Sequence, residues 1–174
     1  LKVLGILGSW MFDKSTVFSL DDWQSNVTYY VSQNPNVSAW EIWNEPNNPS
    51  FYLGHLDGTP EHYFDLLKVA YTTIKLTSNT PVVSAGLAPN DYWQTWLNDL
   101  QNLGSKNYSD IQCIHLYYDL ASTNLEKINS VKAYGQNLWI TEIGRPSNTE
   151  NYTPEEQATY LADNLDRLAP NVEK

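Results

Sequence analysis

Apolar positions along the chain switch between two spacings. The segment LKVLGILGSW (1–10) is a short apolar run that ends in loop residues, as a strand does, whereas Leu20 to Asn34 places its apolar residues at helical intervals behind Asp21 or Asp22. VSAWEIW (37–43) reads as the second strand. Thr59-Pro60-Glu61 then starts a helix, with a hydroxyl placed to cap it and a proline at the first position, where a backbone N–H is not needed. Tyr63, Leu66, Leu67, Ala70 and Ile74 follow at a period of 3.6. PVVSAGLA (81–88) predicts a third strand, and Asp91 to Leu103 a helix with Trp93, Trp96, Leu97 and Leu100 on one face. IQCIHLYY (111–118) predicts a fourth strand, Asn124 to Tyr134 a short helix, and LWITEIG (138–144) a fifth strand. Thr153-Pro154-Glu155-Glu156 caps a last helix that runs to about Leu168.

Five strand–helix units in succession predict a parallel sheet with crossover helices, and strands apolar along most of their length are expected to be buried on both faces. A doubly wound open sheet and a (β/α)8 barrel both satisfy this pattern. GILGSW lacks the G-x-G-x-x-G spacing of a dinucleotide loop. Polar residues gather instead at the C-terminal ends of strands: Asn44 and Glu45, His115 and Tyr117, then Glu142. That is where barrel enzymes build their sites. The expected fold class is therefore α/β, a (β/α)8 TIM barrel that is incomplete, with residues 1–174 as one partial catalytic domain. A full barrel takes about 250 residues, so five units leave open sheet edges, and self-association through those edges is one expectation. The chain also opens on Leu1, already inside an apolar segment, and the expectation is that a segment upstream has been removed.

Composition narrows the partners. The net charge of −10, with only ten Lys and Arg scattered through the sequence, argues against nucleic acid and against an anionic membrane surface. No apolar run has membrane-spanning length. Seven Trp, twelve Tyr and four Phe make an aromatic share of 13%, and Trp and Tyr are the side chains that stack on the apolar faces of sugar rings. The lone Cys113 sits within IQCIHLYY and reads as a small buried hydrophobe. Sequons at Asn26, Asn36, Asn107 and Asn151 carry little weight, because about three would arise by chance in a chain so rich in Asn, Ser and Thr.

The chemistry lies in two glutamates at strand ends, Glu45 in AWEIWNEPNN and Glu142 in LWITEIGRPS. Glycosidic bond cleavage needs such a pair, one acid to protonate the leaving oxygen and one carboxylate to act at the anomeric carbon. Alternation places Glu41, Trp43 and Glu45 on one face of the second strand and Trp40, Ile42 and Asn44 on the other. Asn44 and Glu45 can then serve one site only if the backbone bulges or turns, which Pro46 favours by ending the ladder. His115 and Tyr117, two apart on a strand, point the same way. The ionised partner requires hydrogen-bond donors; the proton donor requires burial or a nearby negative charge. Trp10 and Trp43 are the first candidates for stacking on sugar, with Trp93 and Tyr118 next, whereas Trp139 lies at the far end of its strand and reads as structural. His55 and His62 have no third ligand at metal-like spacing, so neither a metal nor a cofactor is expected. Arg145 is a candidate for substrate contact or a surface ion pair.

WNEP at one strand end and TEIG at another resemble glycoside hydrolase clan A, the retaining (β/α)8 barrel enzymes. The resemblance covers the whole chain as the third to seventh units, with the two glutamates 97 positions apart. EIWNEPNN, IHLYY and WITEIG are most similar to family 39, with family 5 next. The resemblance implies Glu45 as acid/base, Glu142 as nucleophile, Asn44 on the sugar 2-hydroxyl, Tyr117 as donor to Glu142, and His115 on a sugar hydroxyl or Glu45. It also implies an oligo- or polysaccharide substrate of plant type, a β-xylosidase or endo-β-glucanase or mannanase activity, and an extracellular location. The clan's supporting Arg of the second strand and Trp of the eighth have no counterpart in this sequence. The alternative expectation is therefore a catalytically incompetent fragment serving as a carbohydrate-binding or folding module.

Overall fold

In the computed structural model, which describes residues 2–12, 19–51, 58–147 and 152–174, five parallel strands lie side by side in chain order. They are β1 (Leu4–Leu7), β2 (Ala39–Ile42), β3 (Val82–Ser84), β4 (Ile111–Tyr117) and β5 (Asn137–Gly144). Between and after them run α1 (Leu20–Gln33), α2 (Pro60–Thr77), α3 (Trp93–Asn102), α4 (Ala121–Lys132) and α5 (Pro154–Leu168). The sheet curls into a half-barrel with its helices on the outside, the incomplete (β/α)8 architecture that the strand–helix alternation predicts.

Helix starts follow local chemistry. The Thr59 hydroxyl accepts from the His62 amide with Pro60 in the first turn, and Thr153 and Glu156 form a reciprocal capping box on α5. For α1 the cap is Ser19, which accepts from Asp22, so the two aspartates fall in the first turn and not at the cap. α4 begins at Ala121, three residues before the predicted Asn124, and Leu120 at its cap supplies no side-chain bond, so the sequence carries no signal there.

The period-2 pattern separates two apolar layers. Trp40, Ile42, Ile114, Leu116 and Leu138 join Trp23, Leu66, Leu67 and Leu97 of the helices in the main core. Ala39, Val83, Ile111, Cys113 and Trp139 form a smaller cluster on the opposite, concave face, with Leu4 against it. Cys113 is buried there as a free thiol. The two layers explain the near-continuous apolar strands. β1 forms one edge of the sheet, and beyond β5 the last residues pair in ladder fashion: Ile140 N–H donates to Lys174 O (2.7 Å) and Glu173 N–H to Leu138 O (3.1 Å).

β2 and β3 are shorter than predicted, and the reason bears on function. β2 stops at Ile42 because Trp43 (φ 73°) and Glu45 (φ 44°) adopt left-handed backbone. β3 stops at Ser84 because the next two amides go to side chains: Ala85 N–H donates to Tyr63 Oη (2.6 Å) and Gly86 N–H to Glu41 Oε1 (2.9 Å). Among the described residues no helix is long and apolar enough to cross a membrane. His55 and the Asn151 sequon lie outside the described residues.

Candidate active site

The expected turn after β2 is present, built from the two left-handed residues. Trp43 N–H donates to Leu7 O (2.6 Å) and Glu45 N–H to Gly86 O (3.0 Å), which tie the turn to both neighbouring strands. Positive φ at two non-glycine residues is a strained arrangement, held here by these bonds and by Pro46. Its effect is to turn Glu45 inward and bury it, while Asn44 stays half-buried with no side-chain hydrogen bond among the described residues.

A second irregularity delivers Glu142. Ile114 pairs with Ile140 but His115 pairs with Glu142, so β5 holds one extra residue at this point. The shift lets Thr141 and Glu142, adjacent in sequence, both reach His115. Its Nε2 lies 3.1 Å from Thr141 Oγ1, and its Nδ1 lies 3.5 Å from Glu142 Oε2 and 3.0 Å from Glu45 Oε1. Oxygens of Glu45 and Glu142 are within 4.8 Å of one another. Tyr117 Oη donates to Glu142 Oε2 at 2.6 Å, and Asn48 Nδ2 donates to Glu45 Oε2 at 3.1 Å. Both ring nitrogens of His115 are engaged in this hydrogen-bond network.

The electrostatics differ from expectation at Glu45. Burial pushes its carboxyl up, but the hydrogen bonds from His115 and Asn48, together with the charge of the imidazole, outweigh burial and hold it below the usual 4.5. Burial, with the bond to the Glu142 carboxylate, pushes the Tyr117 phenol up, so it remains a donor. Beneath the pair, burial raises the Glu41 carboxyl despite the Gly86 N–H and the imidazole beside it.

Of the predicted residues, Glu45, Glu142, His115 and Tyr117 meet in one cluster, and Asn44 adjoins it in sequence at the turn. Trp10 follows β1 in a short 3-10 turn, 58% exposed, with its ring over Gly8, and is available for stacking. Trp43 is not: it is buried in the main core, edge-on to Trp23 at 5.8 Å, because the left-handed turn that swings Glu45 inward puts its indole among the helices. Tyr118 is exposed, with a left-handed backbone, while Trp93 is half-buried under the Lys127 ammonium. Trp139 packs in the inner cluster beneath Lys174, the structural place expected of it. Among the described residues Arg145 has no carboxylate within ion-pair distance; its guanidinium stacks on Tyr152 and Tyr160 and donates to Tyr118 O.

Four contributors were not anticipated: Glu41, Asn48, Gly86 and Thr141. Glu41 could have been found, since a carboxylate inside an apolar strand on the face of Glu45 is costly unless bonded. Gly86 has a steric reason: a Cβ there would lie 2.1 Å from His115 Nε2. The position permits no side chain while His115 occupies its place.

A family model described as glycosyl hydrolase catalytic core matches residues 10–173. No curated protein sequence matches the chain. Solved structures share the fold at low identity. A glucosidase from Croceicoccus marinus aligns at TM-score 0.74 and 16% identity over 99% of this chain and 41% of its own. A GH128 (subgroup VI) exo-beta-1,3-glucanase from Aureobasidium namibiae aligns at 0.65 and 15% over 99% of this chain and 81% of its own. An endo-1,4-beta-D-mannanase from Thermotoga petrophila aligns at 0.59 and 14% over 87% of this chain and 51% of its own. The names of these three do not mention family 39 or family 5. This chain thus spans less than half of the glucosidase. With nearly its whole length matched by the family model, the chain belongs to the glycosyl hydrolase catalytic core family.

Proposed function

We propose that the chain carries the catalytic pair of a retaining glycoside hydrolase acting on β-glycans. The observation that supports this reading most is the carboxylate pair itself: Glu45 and Glu142 have oxygens within 4.8 Å and unlike partners, an imidazole for one and a phenol for the other. Such close oxygens favour the class in which carboxyls about 5 to 5.5 Å apart carry out a double displacement over an inverting pair, which holds a water at about 6.5 to 9.5 Å.

In the first step a Glu142 oxygen attacks the anomeric carbon while the glycosidic oxygen leaves with a proton from Glu45. In the second, a water gives its proton to Glu45, its oxygen attacks the same carbon, and the bond to Glu142 breaks. Tyr117 stabilises the ionised Glu142 before attack and again when it leaves. Asn44, whose amide has no side-chain hydrogen bond among the described residues, would bond the sugar hydroxyl next to the anomeric carbon. Trp10 offers a stacking face. The names of the neighbours, a glucosidase, a β-1,3-glucanase and a β-1,4-mannanase, make gluco- and manno-configured β-glycans the first substrates to test.

The test is hydrolysis of activated aryl β-glycosides and β-1,3- and β-1,4-linked oligosaccharides, followed by azide trapping. Glu142→Ala with azide should yield the α-glycosyl azide, since azide enters from the vacated side. Glu45→Ala with azide should yield the β-glycosyl azide. No turnover on the panel, or release of the inverted sugar by the wild type, would overturn the reading.

A further inference from the structure

We propose that Thr141 is a positioning residue that fixes a proton on Nε2 of His115, leaving Nδ1 and the Glu45 carboxyl as joint holders of one exchangeable proton. The inference rests on the reading of Glu45 as the acid/base, and it comes from counting donors and acceptors around one hydroxyl.

Thr141 Oγ1 has three neighbours among the described residues: Cys113 Sγ at 3.0 Å, His115 Nε2 at 3.1 Å and Glu41 Oε1 at 3.3 Å. A hydroxyl offers one proton and two lone pairs. Glu41 Oε1 already accepts from Gly86 N–H, and a proton on this burial-raised carboxyl sits on the unpartnered Oε2, so Oε1 accepts again and takes the Thr141 proton. The two lone pairs must then receive donors. Cys113, a fully buried thiol that burial keeps protonated, supplies S–H to this hydroxyl at 3.0 Å in preference to Ile114 O at 3.9 Å. His115 supplies Nε2–H. Every site on the hydroxyl is filled in this arrangement, and the other tautomer would set the Nε2 lone pair against an oxygen with no proton left to give.

The groups facing the imidazole are few. Glu41 from β2 stands 3.9 Å from Nε2, beyond hydrogen-bond reach; Glu45 and Glu142 face Nδ1; the Tyr117 ring of β4 stands edge-on with centroids 6.4 Å apart; Gly86 after β3 presents no side chain. With Nε2 occupied, a single proton lies between Nδ1 and Glu45 Oε1, as carboxylic acid against imidazole or carboxylate against imidazolium. Bond cleavage removes that proton to the leaving oxygen. The Glu45 carboxylate then faces a bare nitrogen lone pair, an unfavourable contact that is relieved when it takes a proton from the attacking water. One fixed hydrogen thus drives the acid in the first half-reaction and the base in the second.

Nitrogen-15 NMR of the full chain labelled in histidine, with His55→Gln and His62→Gln leaving a single imidazole, reads the tautomer directly and needs no turnover. The expected result is Nε2–H in the neutral ring, with Nδ1 the nitrogen that carries no proton of its own. Thr141→Val should lose that preference and Thr141→Ser should restore it. On an aryl β-glycoside, the alkaline limb of kcat/KM should move about one pH unit toward acid in Thr141→Val and return in Thr141→Ser. A wild-type ring protonated on Nδ1 alone, a ring charged on both nitrogens throughout, or a tautomer unchanged in Thr141→Val would overturn the assignment. An Nε2–H tautomer in a protein that hydrolyses nothing would support the assignment while sinking the hydrolase reading, so the two failures are distinguishable.

Discussion

The Tyr117 hydroxyl donates to Glu142 Oε2 at 2.6 Å, a short bond to a carboxylate that is itself part-exposed. Such charge-assisted bonds contribute about 1.5 to 3 kcal/mol, more than neutral ones. Tyr117→Phe is therefore expected to lower kcat roughly ten- to a hundredfold while lowering the melting temperature by only a few degrees. Steady-state kinetics on an aryl β-glycoside beside a thermal melt separates the two effects.

Gly86 allows no Cβ. At 2.1 Å from His115 Nε2 and 2.2 Å from its Cδ2, an added methyl must displace the ring. Gly86→Ala should cost about 1 to 3 kcal/mol by overpacking and also break the His115–Glu45 contact. Denaturant melts and activity should fall together.

The two acids on β2 and its turn respond to pH in opposite senses. Glu45 is held below 4.5 in the fold, so the stability it contributes is present above the unfolded value and is lost as pH falls through its folded value. Glu41 is held above 4.5, so its contribution is full below that value and is lost as pH rises toward its folded value. Glu41→Gln should therefore gain stability relative to wild type as pH rises above 4.5, and Glu45→Gln should lose least relative to wild type in acid. Melting temperatures from acid to neutral pH check both signs.

Trp43 and Trp10 should part company under mutation. Trp43→Ala removes a buried indole and is expected to cost about 3 to 5 kcal/mol. Trp10→Ala, at an exposed ring, should change stability by about 0.5 kcal/mol or less while raising KM for oligosaccharides. Calorimetric melts and substrate titration distinguish them, and an unchanged KM would remove Trp10 from the sugar-binding face.

Period and capping chemistry made the strand–helix order readable, since buried strands and Thr-Pro helix starts leave local marks. The pairing of His115 with Tyr117 was readable for the same reason, as two residues on one face. What stayed hidden depends on backbone that no side chain announces. The left-handed φ of Trp43 sent an aromatic expected beside the sugar into the core. The extra residue in β5 brought Glu142 to the inner face that alternation gives to Thr141 alone. The lowered Glu45 carboxyl likewise needed three-dimensional knowledge of Asn48 and His115 together.

The extra residue in β5 makes the strand's count, and not only its composition, part of the chemistry. Between Trp139 and Ile143 the chain spends one residue more than the partner strand requires, and that surplus is what lets neighbours face the same interior. A single deletion there would restore regular alternation and leave one interior position opposite His115, where Thr141 and Glu142 now both face the ring. The strand is therefore expected to accept substitutions more readily than changes of length, even those that leave every functional side chain in place.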